Sequence, residues 1–386
     1  MIIIIIIAIV MSVMVVSGME GVTSRMQFKG RADKHAARTE GTAPEVALVA
    51  RPLLRAGRIR QALLFIGSAV LLALAMFAAI SLGAKDLTLG TVWAAIFHYD
   101  RSLMTHQIIH ELRLPRVLGA AVIGAALAVA GSLIQGITRN PLGDTGVLGI
   151  NAGAMFVVAV SFAFFPNLPY GTLIVLSFLG ALMSTLLVFG LGASAPGGLT
   201  PMRLTVSGAV TAALLGSMTS GIAIYFNLSQ DLAFWYAGGV AGIKWSQLEI
   251  LAPILLIVIA WSMGLARSIS LISMGDEVAL NLGLNLKRIR LLGLLTVVVL
   301  AGLSVSAAGA IGFVGLVIPH IARKLIGVDY RQIVPLSALL GAVLLVLADL
   351  GARMANPPEE LAIGIMVSFI GVPFFLFLAR KERRDL

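Results

Sequence analysis

Uncharged apolar runs of about 20 residues recur along most of this chain, each long enough to cross hydrocarbon as a helix rising 1.5 Å per residue. Reading those runs between charged positions predicts spans near 62–84, 113–137, 147–165, 171–192, 204–226, 250–266, 291–309, 312–326, 333–350 and 361–379. The seventh and eighth are separated on a length argument. Leu291 to Ala322 contains no Asp, Glu, Lys or Arg and would be about 48 Å long as one helix, too much for a single crossing. Gly309, Gly312, Gly315 and Pro319 supply points at which to break it. Basic clusters at its two ends, Lys287, Arg288 and Arg290 against Arg323 and Lys324, belong on the same side of a membrane, which two passages satisfy. The predicted fold is all-α, a polytopic membrane domain of about ten helices over residues 61–386.

Residues 1–60 read differently. The run 2–17 is short for a span and has no Lys or Arg before it, so it makes a poor signal peptide. The polar stretch from Gly18 to Ala50 reads as a flexible leader; either the true start lies downstream, for example at Met19 or Met26, or the run 2–17 is a genuine extra span.

Composition agrees with the span pattern: 59% hydrophobic and 12% charged residues, with a mean hydropathy of +1.00, lie far from a soluble domain. The net charge of +10 sits in short clusters between apolar runs, where it orients helices and meets anionic lipid, so nucleic acid is not the expected partner. Counted in alternate loops from Arg51 onward, one side holds 17 Lys and Arg and the other six (Lys85, Arg101, Arg113, Arg116, Lys244 and Arg353). The richer side is expected to be cytoplasmic, with both ends of the ten-helix unit there. In that topology spans two to five and seven to ten run in opposite directions, the arrangement of inverted repeats. Small residues recur at i+4 on the second span (Ala120, Gly124, Ala128, Ser132) and the fifth (Gly208, Ala212, Gly216, Ser220), which permits close helix packing. The chain has no cysteine and five scattered histidines, so a metal is expected as cargo inside a chelate rather than as a resident ion.

Three segments carry specific motifs: Glu111 to Ala154, with RLPR, GAALA and RNPL; Ala307 to Lys324, with IPHIARK; and Pro357 to Phe375. In sequence and order they resemble the FecCD transport family, the permeases of importers for vitamin B12 and iron(III)-siderophores, over roughly residues 62 to 384. The resemblance implies a vitamin B12 importer permease-like fold and a permease subunit in the cytoplasmic membrane, multi-pass, paired with a second copy or a homologous permease. It also implies ATP-binding-cassette ATPase subunits and a soluble substrate-binding protein as partners. No GxxxxGK[ST] loop occurs in the chain, so ATP and its magnesium are expected on the partner ATPase.

Arg113, Arg116 and Arg353 fall on the poorly basic side, at the ends of the second and ninth spans. Taken alone they read as interfacial arginines, or for Arg353 as an i,i+4 pair with Asp349. The resemblance assigns them to docking of acidic residues on the binding protein. Gly275, Asp276, Glu277, Val278, Ala279, Leu282 and Gly283 read as a short helix with an acidic start and a glycine stop, Val278 and Leu282 sharing one face. In the family this segment is the coupling helix that docks into the ATPase, and 275–286 is where chemical energy is expected to enter. Asn140 and Pro141 in one turn, and Thr200 and Pro201 in another, are candidates for an inner gate; for the first, a plain Pro-punctuated connection is an equal alternative. Gln135, Asn151 and His320 read as polar groups at membrane depth that hydrogen-bond between helices, Gln135 also being a candidate for the translocation path.

The expected function is transport of an iron(III)-siderophore by alternating access, with vitamin B12 or haem as the alternative cargo. An ion-coupled secondary transporter would call for deep carboxylates, and none but Asp349, near a helix end, stands out.

Overall fold

The computed structural model describes residues 43–83, 87–194, 201–357 and 359–382. Thirteen helices carry most of them: α1 (Ala43–Ser81), α2 (Leu89–Phe97), α3 (Met104–Thr138), α4 (Ile150–Phe164), α5 (Tyr170–Ser194), α6 (Pro201–Tyr225) and α7 (Ser229–Ala237), followed by α8 (Trp245–Met274), α9 (Asp276–Asn281), α10 (Leu286–Ala308), α11 (Val314–Ile326), α12 (Tyr330–Met354) and α13 (Ile363–Glu382). The chain divides between Val70 and Leu71 into two compact units, and the bundle lies in the second. Residues 1–42, most of the expected leader, lie outside the described residues, and helix is already present at Ala43.

Each of the ten expected spans coincides with a helix, but they are not equivalent. Seven are long and apolar enough to cross a membrane: the part of α1 from Ile59, then α3, α5, α6, α8, α10 and α12. α4 and the apolar part of α13, Ile363–Phe377, are shorter. α11 has 13 residues, or about 20 Å, some two-thirds of a crossing. The count of ten is therefore approximate, because α4, α11 and the apolar part of α13 are short for independent crossings. α10 stops at Gly309, whose φ of 71° a side chain disfavours, and α11 begins after Phe313 at a φ of 66°. Between them the backbone is not helical, and non-helical backbone at membrane depth must be satisfied by protein. The end of α7 does this: Ala310 N donates to Trp235 O at 3.1 Å and Gly239 N donates to Ala308 O at 2.7 Å. Of the four expected break points, Gly309 and Gly312 fall in the break, while Gly315 and Pro319 lie inside α11.

Gly315 serves packing instead. α3 is the central element, lying against α8, α10, α11 and α12. A methyl placed on Gly315 would sit 3.0 Å from Leu127 O and 3.2 Å from Gly131 Cα, and one placed on Gly131 would overlap the Gly315 backbone. One turn and more along α3, Gly124 and Gly341 of α12 meet in the same way. The small-residue stripe of α3 is thus spent inside the chain, with Ala120, Gly124, Ala128 and Ser132 all buried. The similar stripe of α6 is buried only at Gly208, with Ala212 and Gly216 half-buried and Ser220 exposed. Nothing lies within 4 Å of a methyl on Gly216, and Val206, Val210, Leu214 and Met218 on the same helix are exposed.

Near its start α3 widens into a π-helical turn, Ile108–Arg113. Such turns free backbone groups. Here the His110 carbonyl accepts a 2.7 Å hydrogen bond from the indole N–H of Trp245 at the start of α8.

Candidate functional sites at the two ends of the bundle

At the end where α3 begins, Arg113, Arg116 and Arg353 form one cluster. α1 ends there, and its last carbonyls have no intrahelical partners. Arg113 Nη1 donates to Ile80 O at 2.6 Å and to Ser81 O at 3.1 Å, while Arg353 Nη2 donates to Ala79 O at 2.8 Å. Two guanidinium groups on a helix C-terminus also complement its dipole. Gly83 leaves room for both, since a methyl there would lie 3.4 Å from each. Asp349 joins the cluster from α12. Its carboxylate accepts from Arg116 Nε at 2.9 Å, sits 2.9 Å from Arg116 Nη2, and lies 3.2 Å from Arg353 Nε. Arg116 Nη1 reaches Glu360 at 2.8 Å, in the loop before α13. The Asp349 side chain is 1% exposed and that of Arg353 6%, whereas Glu360 is 41% exposed. As they stand, the three arginines address acceptors of their own chain.

At the opposite end, α3 closes on Arg139 in the left-handed conformation, φ 52°. Asn140 and Pro141 follow in an ordered turn: Asn140 Oδ1 accepts from Leu142 N at 2.9 Å, and Asn140 O accepts from Gly143 N at 2.9 Å. Asp144 then caps a 3₁₀ turn, Thr145–Leu148, by accepting from Gly146 N. Burial pushes the Asp144 carboxyl above the usual carboxylate range, against the opposing pull of the Gly146 and Thr145 N–H groups. A raised carboxyl favours the folded state below its unfolded pKa and loses that contribution as pH rises through the shifted value. Asp144→Asn, which keeps an accepting oxygen, is therefore expected to match or exceed the wild type in thermal stability at pH 8, with the advantage gone near pH 4. Asp144→Ala loses the cap and about 1 kcal/mol. Unfolding of the purified protein at the two pH values measures both.

Gln135, one turn before Arg139, is 2% exposed. Its Nε2 donates to Gly315 O at 3.1 Å and Leu316 O at 3.3 Å, and its Oε1 accepts from Arg323 Nη2 at 3.1 Å. Both ends of the amide are spent joining α3 to α11. Arg323 also reaches the Tyr330 hydroxyl at 3.2 Å, and Tyr330 N donates to Ser270 Oγ, so α8 and α12 enter the same network. Asn151 Oδ1 is buried with no hydrogen-bond partner among the described residues, and the His320 ring lies edge-on to Phe374. Pro201 is the first residue of α6, and Thr200 lies outside the described residues.

The short helix α9 lies between α8 and α10 on this end. Gly275, at φ 134°, turns the chain out of α8, and Gly283, at φ 78°, turns it out of α9. Leu284 N donates to Ala279 O and Gly283 N to Leu280 O, the paired bonds that close a helix on a left-handed glycine. Ala279 faces inward and is buried, while Met274, Val278, Leu280 and Leu282 are exposed. Glu277 is exposed beside them. Asp276 does not point away: it accepts two bonds from Arg290 Nη2, at 2.8 and 2.9 Å, and is ion-paired with Arg139.

A sequence model of the FecCD transport family matches residues 71–381. The chain belongs to that family. This FecCD chain is 48% identical over 324 residues to the iron(3+)-hydroxamate import system permease protein FhuB of Bacillus subtilis, covering 84% of each. It is 40% identical to the iron-uptake system permease protein FeuB of the same organism, over 83% of this chain and 96% of that one. Its fold is similar to a solved structure described as an inward-facing conformation of a putative metal-chelate type ABC transporter, with TM-score 0.73 and 26% identity over 82% of this chain and 98% of that one.

Sequence reading of the FecCD chain singled out the three arginines and α9, and offered Asp349 as the i,i+4 partner of Arg353, a pair the structure contains; it missed the carboxylates that Arg116 meets and the arginines that Asp276 meets. Asp349 carried a signal, as a carboxylate in an otherwise uncharged run one turn before Arg353. Glu360, Arg139, Arg290 and Arg323 carried none beyond their charge.

Proposed function

We propose that this chain is the membrane-spanning permease subunit of a bacterial ATP-binding-cassette importer that carries an iron(III)-siderophore across the cytoplasmic membrane. The observation that carries the reading is the family match over residues 71–381, joined to 48% identity with an iron(3+)-hydroxamate permease. The permease makes no covalent change to its cargo. The excess of Lys and Arg puts the Arg139 end of the bundle in the cytoplasm and the Arg113 end outside.

The ATPase subunits, which hold ATP and magnesium, dock on α9. Support comes from the uncovered apolar side chains of Val278 and Leu280 on it and of Met274 and Leu282 beside its two ends, on a helix bounded at both ends by glycine. A second permease subunit fits against the outward side of α6, where Val206, Val210, Leu214 and Met218 are exposed and a methyl on Gly216 or Gly221 would meet nothing within 4 Å. The binding protein docks at the Arg113 end, where its acidic residues would compete with Glu360 for Arg116, the more open of that residue's two partners. Asn140 and Pro141, in the turn at the Arg139 end, and Pro201, at the start of α6, are the candidates for an inner gate, with Thr200 outside the described residues. The spent amide of Gln135 favours its interhelical role over a place in the path.

Uptake of iron-loaded siderophore by proteoliposomes containing the permease, its ATPase and binding protein is expected to require ATP. Uptake that follows an ion gradient without the ATPase would overturn the reading. Growth of a deletion strain on a panel of iron chelates identifies the cargo: normal growth on every chelate, with loss of haem or vitamin B12 use, would replace the siderophore.

A further inference from the structure

Two features expected to act separately, the coupling segment and the turn after α3, are joined by one side chain. We propose that Asp276 is the positioning residue that passes movement of α9 to the cytoplasmic end of α3, through Arg139, while Arg290 holds it against the base of α10. The proposal rests on the importer reading above.

Asp276 is the first residue of α9, directly after the chain leaves α8 at Gly275. A carboxylate there is fixed to the helix by a single rotatable stem, and its oxygens serve two arginines from two other elements. Arg290 stands in the first turns of α10 and donates to both oxygens. Arg139 is the left-handed C-cap of α3, and the Asn140–Pro141 turn follows it directly. Displacing α9 therefore pulls on α3 and α10 together.

The position of this pair matters more than its strength. The side chains are 37%, 39% and 30% exposed for Arg139, Asp276 and Arg290. Ion pairs so open to water add little to stability. What they fix is direction: this carboxylate joins α9 to the C-cap of α3 as well as to α10. The end of α3 is in turn not free to move alone, because Gln135, one turn earlier, holds the first residues of α11 and Arg323. A shift delivered at Arg139 thus arrives at the break between α10 and α11. Glu277, the other carboxylate of α9, is exposed and left for the partner.

The test is a double-mutant cycle in the full complex of permease, ATPase and binding protein, reconstituted in proteoliposomes, with cargo uptake and ATP hydrolysis measured together. Asp276→Asn and Arg139→Gln are each expected to lower uptake per ATP by about tenfold while hydrolysis continues. The double variant is expected to be no worse than either single one, and Arg139→Lys to retain most of the coupling. Co-purification of the ATPase and the unfolding temperature of the isolated permease should be unchanged in all of them. Independent, multiplying effects of the two substitutions would overturn the proposal. So would loss of ATPase binding in Asp276→Asn alone, which would make the carboxylate a docking group. Failure of the importer reading itself is seen separately, as wild-type uptake that does not need ATP.

Discussion

Asp349→Ala is expected to lower the unfolding free energy of this permease by about 3–5 kcal/mol, the largest effect of any single side-chain truncation at the Arg113 end. The reason is what it leaves behind. Asp349 is the shared counter-charge of Arg116 and Arg353, and its own side chain is 1% exposed. The intact cluster need not be strongly stabilising, because bringing these charges out of water offsets much of their attraction. Removing the carboxylate keeps the desolvation and discards the attraction. Arg353 retains the Ala79 and Leu82 carbonyls, which are hydrogen-bond acceptors without a net charge. Glu360→Gln gives the comparison, since that carboxylate is 41% exposed and its loss is expected to cost about 1 kcal/mol or less. Arg353→Met in the Asp349→Ala background should recover part of the loss by removing one of the stranded charges. Denaturant unfolding of the detergent-solubilised protein measures all three, and an Asp349→Ala variant as stable as Glu360→Gln would sink the argument.

The same cluster shows where sequence reading stops. The excess of basic residues on one side of the membrane marked Arg113, Arg116 and Arg353 as exceptions, and they do meet at one site. Which way they turn could not be read, because Arg116 finds its carboxylates 233 and 244 positions away along the chain. Helix existence was legible wherever apolar length decided it, and the ends of α9 were legible because glycine is the residue a left-handed exit requires. The eighth span, expected at 312–326, coincides with α11 within two residues. What left no signal is how the break before it is satisfied, because the partners are the carbonyl of Trp235 and the amide of Gly239, backbone groups that carry no side-chain signature. The π-helical turn within α3 left no signal for the same reason. The two small-residue stripes make the point most directly. They have the same i+4 spacing and similar composition, yet the stripe on α3 is buried along its whole length and the one on α6 runs from buried Gly208 to exposed Ser220. The pattern specifies that a close approach is possible, and only the topology specifies to what.

The close packing of α3 on α11 yields the second large effect: Gly131→Leu is expected to destabilise the permease by about 3 kcal/mol or more, and Gly131→Ala by about 1–3 kcal/mol. A single methyl at Gly131 already overlaps the oxygen and Cα of Gly315, which are backbone atoms at the start of α11 and cannot rotate away. The helices must separate instead. Separation stretches the bonds from Gln135 to Gly315 O and Leu316 O, so a buried amide loses acceptors as the packing loosens. Helix propensity acts in the opposite direction, since alanine is favoured over glycine in a helix by about 1 kcal/mol. Gly264 of α8 isolates that term, because a methyl there meets nothing within 4 Å. Gly264→Ala is expected to leave stability unchanged or slightly raised. Opposite signs at two helical glycines, read as unfolding temperatures of the two alanine variants, would show that close backbone approach rather than glycine content sets the requirement at Gly131. A Gly131→Ala variant that gains stability as Gly264→Ala does would mean that α3 and α11 are not held in this contact.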